Sequence, residues 1–308
     1  MAQDLSFPEN ICCVINPEAA NKKWQRRRQL RKILKQIFPV NIIDNQKDKA
    51  QTIQKVKNLC KNHEIIVAAG GDGTIADVIQ GIMESGLNDK VSLGIIPLGS
   101  GNAFRKSLGI PKSIRESVYH IAESQTKTID LVDIEGQPVT FASIGATAQL
   151  AMERQRYRIP GLLGYVFASY NVLKIPRKEI EVDLFDGIDD RGRVFKNRRL
   201  KIKIFDCVIG KTRHFGYGWR IAPKAKINDG YIDITFFQTL GYKYLLFFPA
   251  IYFGIYQKTQ IHFKAKRIRI RGEKLPIQYH GELLGVKDEI EMKIIPQTLK
   301  IISPKQKN

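Results

Sequence analysis

Ala69-Gly70-Gly71-Asp72-Gly73-Thr74 constrains this chain more than any other stretch. The apolar run Ile65-Ile66-Val67-Ala68-Ala69 leads into it. Ile75, Val78, Ile79, Ile82 and Met83 then fall on one helical face. The order is strand, glycine turn, helix. Glycines let the backbone come close to a ligand, and the helix start offers free N–H groups and the positive end of a dipole to an anion. Asp72 sets a carboxylate in the middle of the turn, where a bare anion would be repelled. A magnesium ion or a transferable proton resolves that conflict, so the turn points to a nucleoside triphosphate with its metal.

A second glycine element supports this. Leu93-Gly94-Ile95-Ile96 reads as a short strand, runs into Pro97-Leu98-Gly99-Ser100-Gly101-Asn102, and is followed by a helical stretch from Ala103 to Leu108. Either loop alone also serves as a plain connection; GGDGT and PLGSGN together are harder to dismiss. Around them, strand and helix patterns alternate from about Ile11 to Ser124. Ile11 to Ile15 reads as a buried strand, residues 22–38 as a helix, Asn41 to Ile43 as a strand and residues 50–62 as a helix. A further helix surrounds Ile114, Val118 and Ile121. Such alternation predicts a parallel sheet covered on both faces, binding ligands beyond the carboxyl ends of its strands. From about Thr128 the period becomes two, as in Ile180-Glu181-Val182-Asp183-Leu184 and Leu200 to Ile204, with turn signals such as Asn228-Asp229-Gly230. That predicts antiparallel strands in a sandwich or barrel. Helical patterns interrupt them near 146–158, 162–173 and 242–256.

The 308 residues suffice for two domains with real cores. The four cysteines show no metal spacing. Cys12, Cys13 and Cys207 sit in apolar runs as small buried hydrophobes, which with the absence of a signal-like amino terminus predicts a reducing, cytoplasmic setting. The net charge of +20 is unusual. Basic residues cluster in 22–35, 191–203 and 264–274, and a surface of that sign attracts anionic membrane, phosphorylated substrate or nucleic acid. No nucleic-acid recognition motif accompanies the charge, so nucleic acid is not expected as a partner. No run reaches the ~18–20 apolar residues of a membrane span. The aromatic segment from Tyr244 to Tyr256 reads either as a core helix or as a helix at the bilayer interface.

The chain resembles the diacylglycerol kinase catalytic-domain family, which includes bacterial soluble lipid kinases, sphingosine kinases and ceramide kinases. The resemblance rests on Val14-Ile15-Asn16-Pro17, GGDGT at 70–74, PLGSGNAF at 97–104, His214 to Gly218, Ile221 to Asp233 and Tyr279-His280-Gly281-Glu282-Leu283-Leu284. It implies an α/β fold: a Rossmann-like, NAD-kinase-like parallel domain over residues 1–127, with 298–308 returning to it, and an antiparallel β-sandwich lipid domain over 128–297. It implies an ATP-dependent, cytoplasmic lipid kinase at an anionic membrane surface, converting diacylglycerol or a related lipid alcohol to its phosphate, with ATP and Mg2+ and room for a homodimer. Nucleotide contacts would come from Asn16, Pro17, Gly70, Gly71, Asp72, Gly73, Thr74, Asp77, Gly99, Ser100, Gly101 and Asn102. Glu282, Asp72 and His280 would carry catalysis. Magnesium would be held by the Asp229 side chain and the carbonyls of Lys226 and Tyr231.

Each of these residues also has a plainer role. Asn16 can turn the chain with Pro17, Asp72 and Thr74 can cap helices, and Asn228-Asp229-Gly230 can be a hairpin turn. The chain also departs from the family pattern. Asp77 stands where relatives carry Glu, Ala103 where many carry Asp, and the segment 141–148 lacks an Asp frequent there. Above all, His280 replaces the Asp of Asp-Gly-Glu. A neutral imidazole can still accept a proton, but it is no hard oxygen ligand for magnesium. These departures keep open a catalytically weak or inactive member that binds nucleotide or lipid.

Overall fold

Residues 10–16, 32, 34, 41–44, 48–99, 101–123, 125–157, 175–215, 218–239, 241–247, 249–250, 253–255 and 260–304 are described by the computed structural model. Contacts divide the chain into two units, Met1–Ile129 with Gln297–Asn308, and Asp130–Pro296.

Continuous apolar runs build the first unit. Strands β1 (Ile11–Ile15), β3 (Ile65–Gly70) and β4 (Ser92–Pro97) are buried along almost their whole length, as a sheet covered on both faces requires. With β2 (Asn41–Asp44) they form a parallel sheet in the order β2-β1-β3-β4. Lys300 and Ile301, near the end of the long strand β13 (Glu282–Ile302), pair in parallel with Ser92 and Leu93 at the β4 edge. The chain leaves β1 toward β2 on one side and returns to β3 on the other. The carboxyl ends of β1 and β3 therefore flank the topological switch point, where such sheets open a crevice for ligands.

Helices cover this sheet. In α1 (Lys49–Leu59), Thr52, Ile53 and Val56 are buried, and Asp48 Oδ1 accepts the Ala50 N–H at 3.0 Å to cap the start. Helix α2 (Asp72–Ser85) crosses α1 at Gly81, where a Cβ would lie 2.6 Å from Val56 Cβ. Glycine is thus required there by close helix contact. Helices α3 (Ala103–Leu108) and α4 (Ile114–Glu123) follow β4. Val118 and Ile121 of α4 join the core of Ile11, Cys13, Ile15, Val67 and Ile96. Of the helix expected over 22–38, only Lys32 and Leu34 are described; both are helical and Leu34 is fully buried.

The second unit is antiparallel, except for the short helices α5 (Ala146–Tyr157) and α6 (Gly241–Leu246). Strand β5 (Thr126–Ile134) runs into it, and β6 (Gln137–Val139) pairs back on β5. Strands β7 (Phe141–Gly145), β10 (Asp206–Gly210) and β11 (Ile232–Phe237) are wholly buried. The 20-residue strand β12 (Gln260–Tyr279) pairs with β11 at its start, over Gln260–Ala265, and with β7 at its end, over Ile277–Tyr279. Since β10 bridges β7 and β11, these four strands close on themselves, and a register irregularity between Arg271 and Leu275 lets β12 make the bend. Strands β8 (Lys178–Asp189) and β9 (Val194–Ile204) extend from β12 as a hairpin. One face of the β8-β12 pair, with Val182, Leu184, Ile268 and Ile270, supplies the core; its other face carries charge.

That charged face accounts for much of the clustered basic residues. Arg199 and Arg271 both bond Asp183 at 2.6 Å, Lys201 meets Glu179 at 2.9 Å, and Arg269 meets Glu291 at 2.6 Å. Arg267 stacks over Phe185 at 4.1 Å. Exposed pairs of this kind add little stability, but they align the strands by cross-strand charge. All four cysteines are buried, and burial pushes the Cys12 thiol up to about 11, so none is a ready nucleophile.

The turn between β8 and β9 is closed by Asp189. Its carboxylate accepts the backbone N–H groups of Arg193 at 2.9 Å and Arg191 at 3.0 Å, and the Arg193 side chain at 2.8 Å. The Arg193 N–H leads in holding it down at about 2. A depressed carboxylate stabilises the fold above its unfolded value of about 3.9 and loses that contribution as pH falls toward its folded value. The stability difference between wild type and Asp189→Ala should therefore be constant above about pH 5 and narrow as the pH falls through 4 toward 2. Denaturant titrations at stepped pH measure it; a difference that widens with acid would contradict this assignment.

Candidate active site

Backbone geometry joins the two glycine motifs of the first unit. Gly70 O accepts the N–H groups of Leu98 at 2.9 Å and Gly99 at 3.2 Å. A Cβ on Gly99 would stand 2.5 Å from Gly71 Cα and 2.9 Å from Asn102 Oδ1. The loops thus meet backbone to backbone, and only glycine permits it. Asn102 adopts φ 50°, the left-handed conformation that Asn tolerates, and donates from Nδ2 to Gly99 O at 2.6 Å. At the end of β1, the Asn16 N–H bonds Ala69 O at 2.9 Å, and Asn16 Nδ2 donates to Thr74 Oγ1 at 3.0 Å.

Asp72 ties the loops together. Its oxygens accept the N–H groups of Ala103 and Phe104, each at 3.1 Å, so it caps α3 rather than its own helix. Burial pushes the Asp72 carboxyl up, against the pull of those two amides and of the Arg105 and Lys106 charges. The start of α3 is thereby satisfied. The start of α2 has no side-chain cap, and its first-turn N–H groups remain available to an anion. A Cβ on Gly73, in that first turn, would meet open space. Asp77 is buried in the next turn of α2, its side chain 8% exposed as a residue. The structure therefore brings Asn16, Gly70, Gly71, Asp72, Thr74, Gly99 and Asn102 into one cluster. Gly101 follows in the same loop, and Pro17 and Ser100 lie outside the described residues.

In the second unit, His280 and Gly281 form the turn between β12 and β13, with φ values of 49° and 85°. Gln278 Oε1 accepts the Gly281 N–H at 2.8 Å and holds the turn closed. The His280 ring turns back on Thr140, whose N–H donates to Nε2 at 3.0 Å. Accepting that bond engages the Nε2 lone pair, so His280 supports the turn through this nitrogen. Glu282 is the first residue of β13, half-buried and paired across the turn with Tyr279.

The loop expected to hold magnesium is built around a lysine. The Lys211 side chain, 1% exposed, enters from the end of β10. Its ammonium bonds Asp229 Oδ1 at 2.6 Å and the Tyr231 carbonyl, and pairs with Asp130 Oδ2 at 3.2 Å. Asp130 also accepts the Gly230 N–H at 2.7 Å, and Lys264 bonds the other Asp229 oxygen. Burial pushes the Asp229 carboxyl up, and the bonds from Lys211 and Lys264 more than offset it, leaving it below its ordinary value. Lys226 takes part through its N–H, which donates to Asp233 Oδ2 at 3.3 Å. Two of the three donors expected for a metal are therefore already bound by an ammonium. The arrangement does not fit magnesium held as the resemblance implies. Sequence reasoning passed over Lys211 and Asp130. Their only sequence signal is a lone charge against an apolar strand, as in Cys207-Val208-Ile209-Gly210-Lys211 and Ile129-Asp130-Leu131-Val132.

Residues 10–134 match the family model described as the diacylglycerol kinase catalytic domain, and residues 141–303 match the YegS C-terminal NAD kinase beta sandwich-like domain. The chain belongs to the diacylglycerol kinase catalytic-domain family. It is similar to a diacylglycerol kinase of Staphylococcus saprophyticus, 27% identical over 72% of this chain and 70% of that one. It is likewise similar to a diacylglycerol kinase of Staphylococcus carnosus, 25% identical over 88% of each. A diacylglycerol kinase crystal structure from Bacillus anthracis shares the fold, with a TM-score of 0.71 at 19% identity over 97% of this chain and 98% of that one. The expected fold is therefore present: a parallel α/β unit followed by a β-rich, sandwich-like one.

The second unit also holds a cavity of 260 Å³, lined largely by apolar groups that include Ile144, Met152, Ile175, Phe205 and Leu275. Close glycine contact makes a direct test of loop geometry. Gly99→Ala should cost about 1–3 kcal/mol of stability, the usual penalty of forced overpacking. Gly73→Ala should cost nothing or stabilise slightly, because alanine favours the helix. Urea denaturation of the two variants reads the difference; equal losses would sink the geometry.

Proposed function

We propose that the chain is an ATP-dependent kinase that phosphorylates the hydroxyl of diacylglycerol or a closely related lipid alcohol at an anionic membrane surface. The observation that carries this reading is the joined pair of glycine loops at the switch point, with the uncapped start of α2 beside them. Phosphoryl transfer needs mainly positioning and charge stabilisation. In this reading the β- and γ-phosphates lie against the first-turn N–H groups of α2, over the space left by Gly73. Asn16 and Thr74 border the nucleotide, and Asp72 fixes the loop pair. ATP would arrive as its magnesium complex. Glu282 accepts the proton of the lipid hydroxyl, and His280 holds the turn that presents it. The relatives named diacylglycerol kinase support the substrate class.

Membrane recruitment rests on four exposed apolar side chains close in sequence. Tyr242, Leu246, Phe253 and Ile255 are 61%, 72%, 63% and 74% exposed, with Lys243 beside them. The core-helix expectation for this segment does not hold for these residues, since their side chains face outward. Aromatic and aliphatic groups bordered by lysine suit the bilayer interface, and among the described residues no helix is long and apolar enough to cross a membrane. The 260 Å³ apolar cavity suits an acyl chain.

A radiolabelled ATP assay over a panel of lipid alcohols tests the reaction. Glu282→Gln should lower kcat by about 100- to 10,000-fold, the usual contribution of a general base. Gly73→Ala should weaken ATP binding by roughly tenfold while the fold persists. A wild-type protein that binds ATP but labels none of the lipids would favour a binding member of the family instead. In flotation assays, Leu246→Asp should lower binding to vesicles of phosphatidylglycerol, and added salt should release wild type from them. Equal binding of wild type to neutral and anionic vesicles would exclude the charge-assisted part.

A further inference from the structure

We infer that the Lys211 ammonium is a built-in cation that takes the place of a divalent metal in the second unit, so that the loop from Lys226 to Tyr231 is ordered without one. An ammonium carries three N–H donors. Lys211 faces three oxygens: Asp229 Oδ1, Asp130 Oδ2 and the Tyr231 carbonyl. Every donor has an acceptor, as a buried charge requires.

The charges balance in the same way. Asp130 is 1% exposed and Asp229 20%. Two carboxylates brought together and shielded from water repel unless a cation lies between them. Lys211 supplies one from within, and Lys264 bonds the outer oxygen of Asp229. A magnesium ion would need oxygen ligands at about 2.0–2.1 Å in octahedral array. The nitrogen of Lys211 stands within bonding range of those same oxygens, and the side chain that carries it is buried. The metal could enter only by expelling that side chain.

The cation also reaches the turn that carries Glu282. The Lys211 N–H donates to Thr140 O at 2.8 Å, and the Thr140 N–H donates to His280 Nε2 at 3.0 Å. Lys211 therefore fixes the Asp229 loop with its side chain and the His280 turn through its backbone.

Thermal unfolding of the nucleotide-free protein tests the inference, because it reads metal binding without activity. Wild type should melt at the same temperature in EDTA and in excess magnesium chloride. Lys211→Ala leaves the two carboxylates without their cation. It should melt lower in EDTA and regain roughly 2 °C or more in magnesium. The double variant Lys211→Ala, Asp229→Asn should lose that response, which separates this site from adventitious surface binding. Lys211→Gln provides a second variant of similar volume with the same expectation. Recovery of either single variant only when refolded in magnesium would equally support the inference. A wild type that melts lower in EDTA would overturn it, and so would single variants as stable as wild type and indifferent to magnesium.

Discussion

Close approach of Gly71 and Gly99 is the constraint on which the first unit depends. With no side chain between them, the turns after β3 and β4 share one space, and Gly70 O can accept two amides from the neighbouring loop. That contact also lets Asp72 reach the start of α3. A carboxylate placed there satisfies two orphan N–H groups of a six-residue helix that could not persist alone. The same carboxylate is then unavailable to α2, whose own N–H groups stay open. One acidic residue therefore closes one helix start and leaves the other without a side-chain cap.

In the second unit, paired charges accompany the apolar core. Buried acids there are met by nearby bases or amides: Asp206 by the Thr147 N–H at 3.1 Å, Asp183 by two arginines, Asp130 and Asp229 by Lys211. The net charge of +20 therefore overstates what the β8-β12 face offers to a partner, since much of its basic charge is spent on neighbouring carboxylates. The proposed attraction to an anionic surface would therefore draw on the remaining lysines and arginines, beside the exposed side chains of Tyr242, Leu246, Phe253 and Ile255.

How much of this was legible in the sequence depends on the range of the interactions. Strand β3, the turn after it and α2 are written in contiguous residues, so the apolar run, the glycines and the helical period found them. The return of Lys300 and Ile301 to the β4 edge was legible only through family resemblance, because nothing local in Leu299-Lys300-Ile301-Ile302 names its partner. Lys211 was not legible at all. Its acceptors come from Asp130, Asp229 and Tyr231, on three other segments, and a lysine after an apolar strand ordinarily points to solvent. The aromatic segment from Tyr244 to Tyr256 stayed open between two readings for a related reason: composition fixes its apolar character but not which way its side chains face, and Leu246, Phe253 and Ile255 face outward.

The departure at position 280 has a backbone explanation. A residue there must adopt φ near 49°, and Asp, Asn and His are the side chains that enter that region most readily. Histidine is therefore one of few replacements for aspartate that leave the turn unstrained. Its ring supplies an acceptor that reaches the Thr140 N–H at 3.0 Å. A metal bound by an aspartate would lose a ligand by this change; a turn supported through Thr140 loses none. Histidine at 280 and lysine at 211 meet on the same residue, one at its N–H and the other at its carbonyl. The Glu282 turn is thereby held by the chain's own hydrogen bonds, next to the buried ammonium of Lys211.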